Sequence, residues 1–149
     1  MPSISIEEDE EQVAGLVRSA RRIAVLGIKT EAQRDQPAYY VPAYLVTAGL
    51  EVIPVPVYYP EATQILGQPV YRHLTEVPGP IDIVDVFRRP ADLAAHLPEL
   101  LAAKPRAVWF QSGIRHDEVA AQLTAAGIVV VQDRCLMVDH RRYGSRRQA

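Results

Sequence analysis

Residues 21–55 read RRIAVLGIKTEAQRDQPAYYVPAYLVTAGLEVIPV, and this stretch decides the fold class of the chain. Its wholly apolar segment Ile23–Leu26 is typical of a strand that is buried on both faces of a parallel sheet. A helix is predicted over Tyr39–Ala48, followed by Gly49, the residue type favoured just after a helix. Val52–Val57 then predicts a second strand. A strand, a loop, a helix and another strand together indicate a βαβ unit.

The same alternation continues towards the C-terminus. Further strands are predicted over Ile81–Phe87, Val108–Gln111 and Ile128–Gln132, with helices over Pro90–Ala103 and His116–Ala126 between them. Pro98 predicts a kink or a division in the first of these helices. Five strands that alternate with helices predict an α/β fold, a single Rossmann-like doubly wound parallel sheet of about five strands with helices on both faces.

The two ends of the chain flank this pattern. Ser5 and Glu8 have the spacing of a capping box, and residues 1–20 are therefore predicted to contain an N-terminal helix. Residues 141–149 read as a frayed basic tail. Because 149 residues is the length of one ordinary domain, residues 1–149 are predicted to form a single domain.

Composition excludes several classes of protein. Sixteen basic and eighteen acidic residues give a net charge of −2, which argues against a broad nucleic-acid-binding face. No apolar run approaches the roughly 18 residues that a membrane span needs, and the acidic N-terminus is unlike a signal peptide. One cysteine, Cys135, cannot form an internal disulfide and suits a reducing compartment. We expect a cytoplasmic protein that binds neither nucleic acid nor membranes.

The loop after the first strand carries donors for anionic oxygens. Gly27 permits a tight turn, but no further glycine follows before the helix. Lys29, Thr30 and Arg34 offer side chains that suit phosphate oxygens, and the helix N-terminus behind them adds partial positive charge. The alternative is a solvated connecting loop. The glycine-to-lysine spacing excludes a P-loop.

The ends of the second and third strands are equally informative. Tyr58 and Tyr59 stand where a nicotinamide-dinucleotide enzyme places an acid, and they offer an aromatic face for adenine or else pack on the core. Arg88 and Arg89 would repel each other in a confined crevice unless an anion or a carboxylate joins them. The alternative to a phosphate there is a salt bridge from one arginine to Asp82 or Asp85.

The inventory of catalytic groups is thin. The four histidines, His73, His96, His116 and His140, have no partner at metal-ligand spacing, so no metal site is predicted. His116 with Asp117 is typical of a helix start. Cys135 is expected near the crevice, as a packed thiol more than as a nucleophile. No set of residues forms a convincing catalytic constellation, and we predict no enzyme activity.

Six segments together carry a family resemblance: IAVLG, VIPV, ILGQPVY, IDIVDVFRRP, VWFQSGI and QDRC. Over about Arg22 to Tyr143, the chain resembles the standalone CoA-binding-domain proteins, which are similar to the CoA-binding domain of the succinyl-CoA synthetase alpha subunit. The resemblance implies a Rossmann-like domain that binds coenzyme A at the point where the strand order reverses. The synthetase's phosphorylated histidine belongs to a separate domain, so the resemblance implies binding and not the ligase reaction.

The resemblance also implies the residues of the site. Those expected to contact phosphates are Gly27, Ile28, Lys29, Thr30 and Arg34. Those expected to line the adenine or ribose are Val57, Tyr58 and Tyr59, with Gly67 closing their loop. Those expected at the third and fourth strand ends are Phe87, Arg88, Arg89, Gln111, Ser112 and Gly113.

Three functions follow as hypotheses. The first is a protein that binds coenzyme A or an acyl-CoA without turnover of its own. The second is a small acyl-CoA- or nucleotide-dependent enzyme that uses Cys135 or His116. The third is an interaction protein whose fold has lost its ligand, and no protein partner is identified by the residues.

Overall fold

A computed structural model describes residues 4–144, and its centre is a five-stranded parallel sheet. The strands in chain order are β1 (Arg22–Leu26), β2 (Glu51–Val55), β3 (Gln64–Ile65), β4 (Gln68–Pro69), β5 (Ile83–Val86), β6 (Ala107–Phe110) and β7 (Val129–Val131). The sheet order is β2-β1-β5-β6-β7, with every neighbouring pair parallel, while β3 and β4 form a separate hairpin. The α/β fold with a parallel Rossmann-like sheet is therefore confirmed.

Helices cover both faces of the sheet. They are α1 (Glu10–Ser19), α2 (Pro37–Thr47), α3 (Leu93–Ala103), α4 (Asp117–Ala125) and α5 (Leu136–Tyr143). Alternate strand residues point to opposite faces, so the sheet has two cores. Leu93 and Leu123 of α3 and α4 pack in one core, and Val13, Leu45 and Leu136 of α1, α2 and α5 pack in the other. No helix among residues 4–144 is long and apolar enough to cross a bilayer.

Both ends of the chain differ from the sequence prediction. The first helix begins at Glu10, and its N-cap is Asp9, whose side chain accepts a hydrogen bond from the Gln12 backbone. Ser5 instead lies in an extended segment beside β7, where the Ile6 N–H donates to the Val130 carbonyl at 2.8 Å. The proposed capping box at Ser5 is therefore wrong, because backbone pairing with the sheet edge competes for these residues.

The start of the predicted basic tail is also wrong. Residues 141–143 belong to α5, which the sequence prediction missed because its segment LMVDHRRY is too polar to show a clear apolar stripe. Charge pairs make this helix stable: the Arg134 guanidinium just before it binds both Asp139 of α5 and Glu10 of α1. Residues 1–3 and 145–149, the outer parts of the predicted termini, lie outside the described residues.

Pro98 neither ends nor divides α3, which runs continuously from Leu93 to Ala103. The 3-10 turn Pro90–Asp92 precedes this helix, so the predicted helix over Pro90–Ala103 starts three residues too early. The other predicted elements agree with the structure to within one or two residues.

Asp85 is a charged residue type at the centre of the sheet. It pairs in register with Val25 and Trp109, and it is fully buried. Neither carboxyl oxygen has a hydrogen-bond partner among the described residues. Burial raises the pKa of Asp85 well above its ordinary value, because the charged form loses its hydration there.

This burial predicts how stability varies with pH. A raised folded-state pKa means that the folded protein holds the Asp85 proton more tightly than the unfolded chain does. The contribution of this bound proton to the free energy of unfolding is fully present below the pKa that Asp85 has in the unfolded chain. It is lost as the pH rises through the pKa that Asp85 has in the folded protein. Asp85→Asn removes this dependence, so the variant is expected to be more stable than the wild type at pH 8 by about 1–3 kcal/mol.

Urea unfolding at two pH values measures the effect. The advantage of Asp85→Asn should shrink towards roughly pH 4, the ordinary pKa of an unfolded aspartate. A difference between the proteins that stays constant from pH 4 to pH 8 would mean that Asp85 does not titrate in this way.

Candidate functional site

A cleft lies at the carboxyl ends of the strands where the strand order reverses, next to β1 and β5. These two strands are neighbours, although β2 follows β1 in the chain, and such switch points are the usual ligand sites of open α/β sheets. The cleft has a volume of about 530 Å³. Its lining residues come from four segments and are Lys29, Gln36, Pro37, Ala38, Tyr40, Val41, Phe87, Arg88, Arg89, Pro90, Gln111, Ser112, Gly113, Ile114 and Cys135.

Gly27 sets the distance between the ends of β1 and β5. Its φ is +86°, and a Cβ atom at this position would collide with the Phe87 carbonyl oxygen and lie 3.1 Å from the Arg88 Cδ. The Gly27 N–H donates to the Val55 carbonyl at 2.9 Å, so the residue still belongs to the sheet edge. The absence of a side chain at Gly27 therefore lets the Phe87–Arg88 backbone pass directly beside β1.

The loop after β1 is attached to α2 at a helix carbonyl that lacks its usual hydrogen bond within the helix. Because α2 begins at Pro37, Pro42 lies in its second turn and cannot donate the usual bond to the Ala38 carbonyl. The Lys29 N–H takes that place and donates to the Ala38 carbonyl at 3.1 Å. The Lys29 ammonium is held near the helix start by the Gln36 side-chain oxygen. Lys29 thus enters the cleft with both its backbone and its side chain positioned.

The side chains of Thr30 and Arg34 make hydrogen bonds within this loop. Thr30 donates its hydroxyl to the Gln33 amide oxygen at 2.8 Å and caps the 3-10 turn Glu31–Gln33. Arg34 is exposed and donates from Nε to the Glu31 carbonyl at 3.0 Å. Neither residue lines the cleft. Their predicted phosphate contacts stay predictions.

Ile28 turns away from the cleft. Its side chain is buried in the core beneath α1, α2 and α5, with 1% of its surface exposed. A contact from Ile28 to a ligand could come from its backbone alone, so the side chain is a core residue and not a site residue.

Arg88 is the central cation of the cleft. Its guanidinium contacts three side chains: Nε lies 3.1 Å from His96 Nε2, Nη1 lies 3.4 Å from the Tyr58 hydroxyl, and Nη2 lies 3.5 Å from Asp92 Oδ2. The Arg88 side chain is 14% exposed. Contacts on three sides keep the guanidinium at the cleft edge without burying it completely.

Arg89 is the exposed member of the pair. Its side chain is 79% exposed, and its Nε donates to Asp92 Oδ2 at 2.9 Å. The hydrogen bond from Arg89, together with the charges of Arg89 and Arg88, lowers the pKa of Asp92 and keeps it ionised. The carboxylate that offsets the repulsion between the two arginines is therefore that of Asp92. The alternative salt bridge to Asp82 or Asp85 is wrong.

Asp82 and Asp85 lie elsewhere for physical reasons. The Asp82 carboxylate accepts the backbone N–H groups of Arg21 and Arg22 at 2.8 and 2.9 Å, and Asp85 is enclosed in the sheet. Asp92 is reached because the turn at Pro90 brings it back over the arginines, a contact that strand patterns do not reveal.

The second-strand residues form a separate concavity of about 480 Å³. It is lined by Val57, Tyr58, Tyr59, Pro60 and Arg72. Tyr58 is 59% exposed, and the Arg88 guanidinium carbon lies 5.5 Å from the centre of its ring. The arginine–tyrosine contact therefore joins this concavity to the main cleft, and Tyr58 is not a core residue.

Gly67 lies in the turn of the β3–β4 hairpin, with φ +73°. The neighbouring Leu66 N–H donates to Glu31 Oε2 at 2.8 Å, which fastens the hairpin to the loop after β1. Gly67 lines neither the cleft nor the tyrosine concavity. Its predicted ligand contact stays a prediction, and its observed role is to form the turn.

Gln111, Ser112 and Gly113 all line the cleft at the end of β6. Gln111 is buried, and its side-chain oxygen accepts the Leu136 N–H at 3.0 Å, which holds the start of α5 against the sheet. The Gly113 N–H donates to Asp133 Oδ1 at 2.7 Å. Ser112 and Gly113 are exposed, so their surfaces are open to a ligand.

The two predicted candidates for catalysis lie in different places. Cys135 is partly exposed and lines the cleft at the start of α5. His116 caps α4, where its Nδ1 accepts the Val119 N–H at 3.1 Å, and it does not line the cleft. Of the two predicted candidates, only Cys135 lies in the cleft, and His116 instead caps a helix.

Charge distinguishes the cleft from a larger concavity of about 660 Å³ near the N-terminal segment. That concavity is lined by Ile4, Ser5, Ile6, Glu7, Glu8, Asp9, Gln12 and Arg115. Three acids against one arginine suit it poorly to a phosphate ligand. The lining of the cleft contains Lys29, Arg88 and Arg89 and no acid, so its field favours anions. No cluster of three or more His, Cys, Asp or Glu residues within 4–144 is arranged to hold a metal ion.

Comparison with known proteins identifies the family of the chain. The family described as "CoA binding domain" matches residues 21–141. The chain belongs to this family. The Bacillus subtilis protein YneT is 33% identical over 129 residues, which is 87% of this chain and 92% of YneT. The match therefore spans almost the whole of YneT.

Solved structures also resemble this CoA-binding domain. The Thermus thermophilus protein cell-free ID.343 is 43% identical with a TM-score of 0.82, covering 91% of this chain and 98% of the other. A protein from Pyrococcus horikoshii OT3 is 26% identical with a TM-score of 0.81, covering 96% of this chain and 98% of the other. The family and the fold that the sequence indicated are thus confirmed.

The sequence interpretation of this CoA-binding domain missed one side of the cleft. Gln36, Pro37, Ala38, Tyr40 and Val41 contribute the start of α2, although none was a predicted site residue. The signal was present in Pro37, since proline is favoured at the first helical position, and a helix start at this edge places N–H groups near the ligand site. The predicted helix over Tyr39–Ala48 did not reveal which side chains of its first turn face the cleft.

Proposed function

We propose that the protein binds coenzyme A or an acyl-CoA in the cleft, without catalytic turnover of its own. The observation that carries this proposal is the meeting of Lys29 and Arg88 with the N-terminus of α2 around one concave surface, to which the largely exposed Arg89 adds a further positive charge. Coenzyme A carries a pyrophosphate and a 3′-phosphate, and charge-assisted hydrogen bonds from several donors suit these groups. Membership of the CoA-binding domain family supports the same ligand.

The two connected concavities suit a ligand with two different ends. The tyrosine concavity offers the exposed ring of Tyr58 as a stacking surface for adenine, and Arg88 stands between it and the main cleft. The main cleft also offers apolar surface from Phe87, Val41 and Ile114 for the pantetheine arm. Such a combination of apolar walls with a few placed polar groups is typical of cofactor sites.

Coenzyme A is expected to bind, and NAD is expected not to. The residues after β2 are Pro56, Val57, Tyr58 and Tyr59, which include no acid to accept the ribose hydroxyls of NAD. Titration calorimetry with coenzyme A, 3′-dephospho-CoA and NAD measures the difference, which should be at least about tenfold between coenzyme A and NAD. Comparable affinity for both ligands would contradict the proposal.

A second candidate function follows from the position of Cys135 in the cleft. The Cys135 thiolate could attack the thioester carbonyl of a bound acyl-CoA, which forms an acyl-cysteine and releases the CoA thiol. Water would then hydrolyse the acyl-cysteine to the free acid and regenerate the thiol, which would make the protein a small acyl-CoA-dependent enzyme. Hydrolysis assays of acyl-CoA thioesters with the wild type and Cys135→Ser distinguish the two functions. Turnover that disappears in Cys135→Ser would favour the enzyme, while equal absence of turnover would favour the binding protein.

The interaction-protein hypothesis differs from the binding proposal because it predicts that the cleft holds no ligand in the cell. Mass measurement on gently purified protein should show co-purified coenzyme A or acyl-CoA if the binding proposal holds. Protein without either compound, and without affinity for them by calorimetry, would favour a fold that has lost its ligand.

A further inference from the structure

A chain of polar contacts connects Arg88 to α3. His96 Nε2 lies 3.1 Å from Arg88 Nε, and His96 Nδ1 lies 2.7 Å from Glu99 Oε1. The other Glu99 oxygen accepts the Leu74 N–H at 3.0 Å. The three side chains are 14%, 15% and 19% exposed for Arg88, His96 and Glu99, so water competes little for these bonds.

The chemistry of arginine decides the protonation of His96 in this chain. An arginine stays charged in proteins, so Arg88 Nε is always a donor and needs an acceptor. His96 Nε2 must therefore carry the lone pair, and its hydrogen must lie on Nδ1, where it faces Glu99. Burial raises the pKa of Glu99, but the hydrogen bonds that its carboxylate accepts from His96 and from the Leu74 N–H act in the opposite direction, and the pKa is lowered from its ordinary value. An ionised Glu99 is the acceptor that this tautomer requires.

The bond at Nε leaves Arg88 with donors to spare. A guanidinium has five N–H groups. The contacts to His96, Tyr58 and Asp92 use one nitrogen each, and the Nη1 and Nη2 contacts are long, at 3.4 and 3.5 Å. The short, well-placed bond is the one at Nε, on the side away from the paired Nη donors. Fixing Nε therefore orients the guanidinium while its Nη groups stay available to an anion.

We propose that His96 is a positioning residue for ligand binding, which, as an acceptor fixed by Glu99, orients the Arg88 guanidinium towards a phosphate of the ligand. This inference rests on the proposed function, because it takes the phosphate of coenzyme A as the anion. Ordering Arg88 before binding lowers the entropy that binding must remove from a long side chain. His96 itself touches no ligand in this arrangement.

Calorimetry on two variants tests the role of the acceptor. His96→Leu removes the acceptor and should weaken coenzyme A binding about three- to tenfold. His96→Gln keeps an amide oxygen for Arg88 and a donor for Glu99, so it should bind within about twofold of the wild type. In an Arg88→Ala background, His96→Leu should have no further effect on affinity, because the side chain that it positions is gone.

The same variants give a measurement without ligand. The Arg88 Nε–H should give a protected signal in ¹⁵N–¹H spectra, identified by its loss in Arg88→Ala. This signal should persist in His96→Gln and disappear in His96→Leu. Should His96→Leu fail to fold in thermal melts, His96→Ala takes its place in both experiments.

The outcomes separate this inference from the proposed function. A protected Arg88 signal that depends on His96, in a protein that binds no coenzyme A, would overturn the proposed function and reduce His96 to a structural contact. Normal coenzyme A binding with equal affinity in the wild type and His96→Leu would overturn the positioning role alone. Equal losses in His96→Leu and His96→Gln would also overturn it, since the acceptor would not be what matters.

Discussion

Gly27→Ala is expected to lower the free energy of unfolding by about 3–5 kcal/mol. Two costs combine at this position. The φ of +86° lies in the left-handed region that side chains disfavour, and the new Cβ would collide with the Phe87 carbonyl oxygen. That oxygen belongs to the backbone between β5 and Arg88, so it cannot move aside without disturbing both the sheet and the cleft.

Gly127→Ala is the matched control for this prediction. Gly127 also has a φ of +86°, but no heavy atom lies within 4 Å of the position that its Cβ would take. It should therefore lose about 1–2 kcal/mol from backbone strain alone. Urea unfolding of both variants measures the difference, which is the cost of the collision. Equal losses would show that β1 and β5 do not approach as closely at Gly27 as the structure has them.

Arg88→Ala is expected to weaken coenzyme A binding about ten- to a hundredfold. A charge-assisted hydrogen bond to a phosphate is worth roughly 1.5–3 kcal/mol, and Arg88 lines the cleft while its guanidinium also contacts Tyr58 of the neighbouring concavity. The free energy of unfolding without ligand should fall by about 0.5–1.5 kcal/mol, because the contacts to His96, Tyr58 and Asp92 are lost. Titration calorimetry and thermal melts measure the two effects separately.

Arg89→Ala is the control, since it removes the same charge from the next residue. Arg89 is 79% exposed, and its bond to Asp92 is open to water, so its loss should weaken binding less than about threefold. If Arg88→Ala lowered the melting temperature but left the affinity for coenzyme A unchanged, Arg88 would be a structural residue and the phosphate site would lie elsewhere.

The sequence alone was sufficient for the fold class and for the edge of the sheet that carries the cleft. Buried parallel strands are continuous apolar runs such as Ile23–Leu26, and a glycine after a helix, such as Gly49 or Gly127, marks its end. Once strands and helices alternate, the carboxyl ends of the strands meet at one edge. Lys29, Arg88 and Gln111 could therefore be placed near one another without coordinates.

The tertiary structure decided which of these side chains turn inward and what holds them. Ile28 and Thr30 both belong to the loop after Gly27, yet one enters the core and the other caps a turn, because helix packing and local hydrogen bonds determine side-chain direction. The polar helix α5 depends on contacts between residues far apart in the chain, such as Arg134 with Glu10. Local propensity depends on a residue's neighbours in the sequence. The cleft, in contrast, is formed by distant segments that come together only when the helices pack on the sheet.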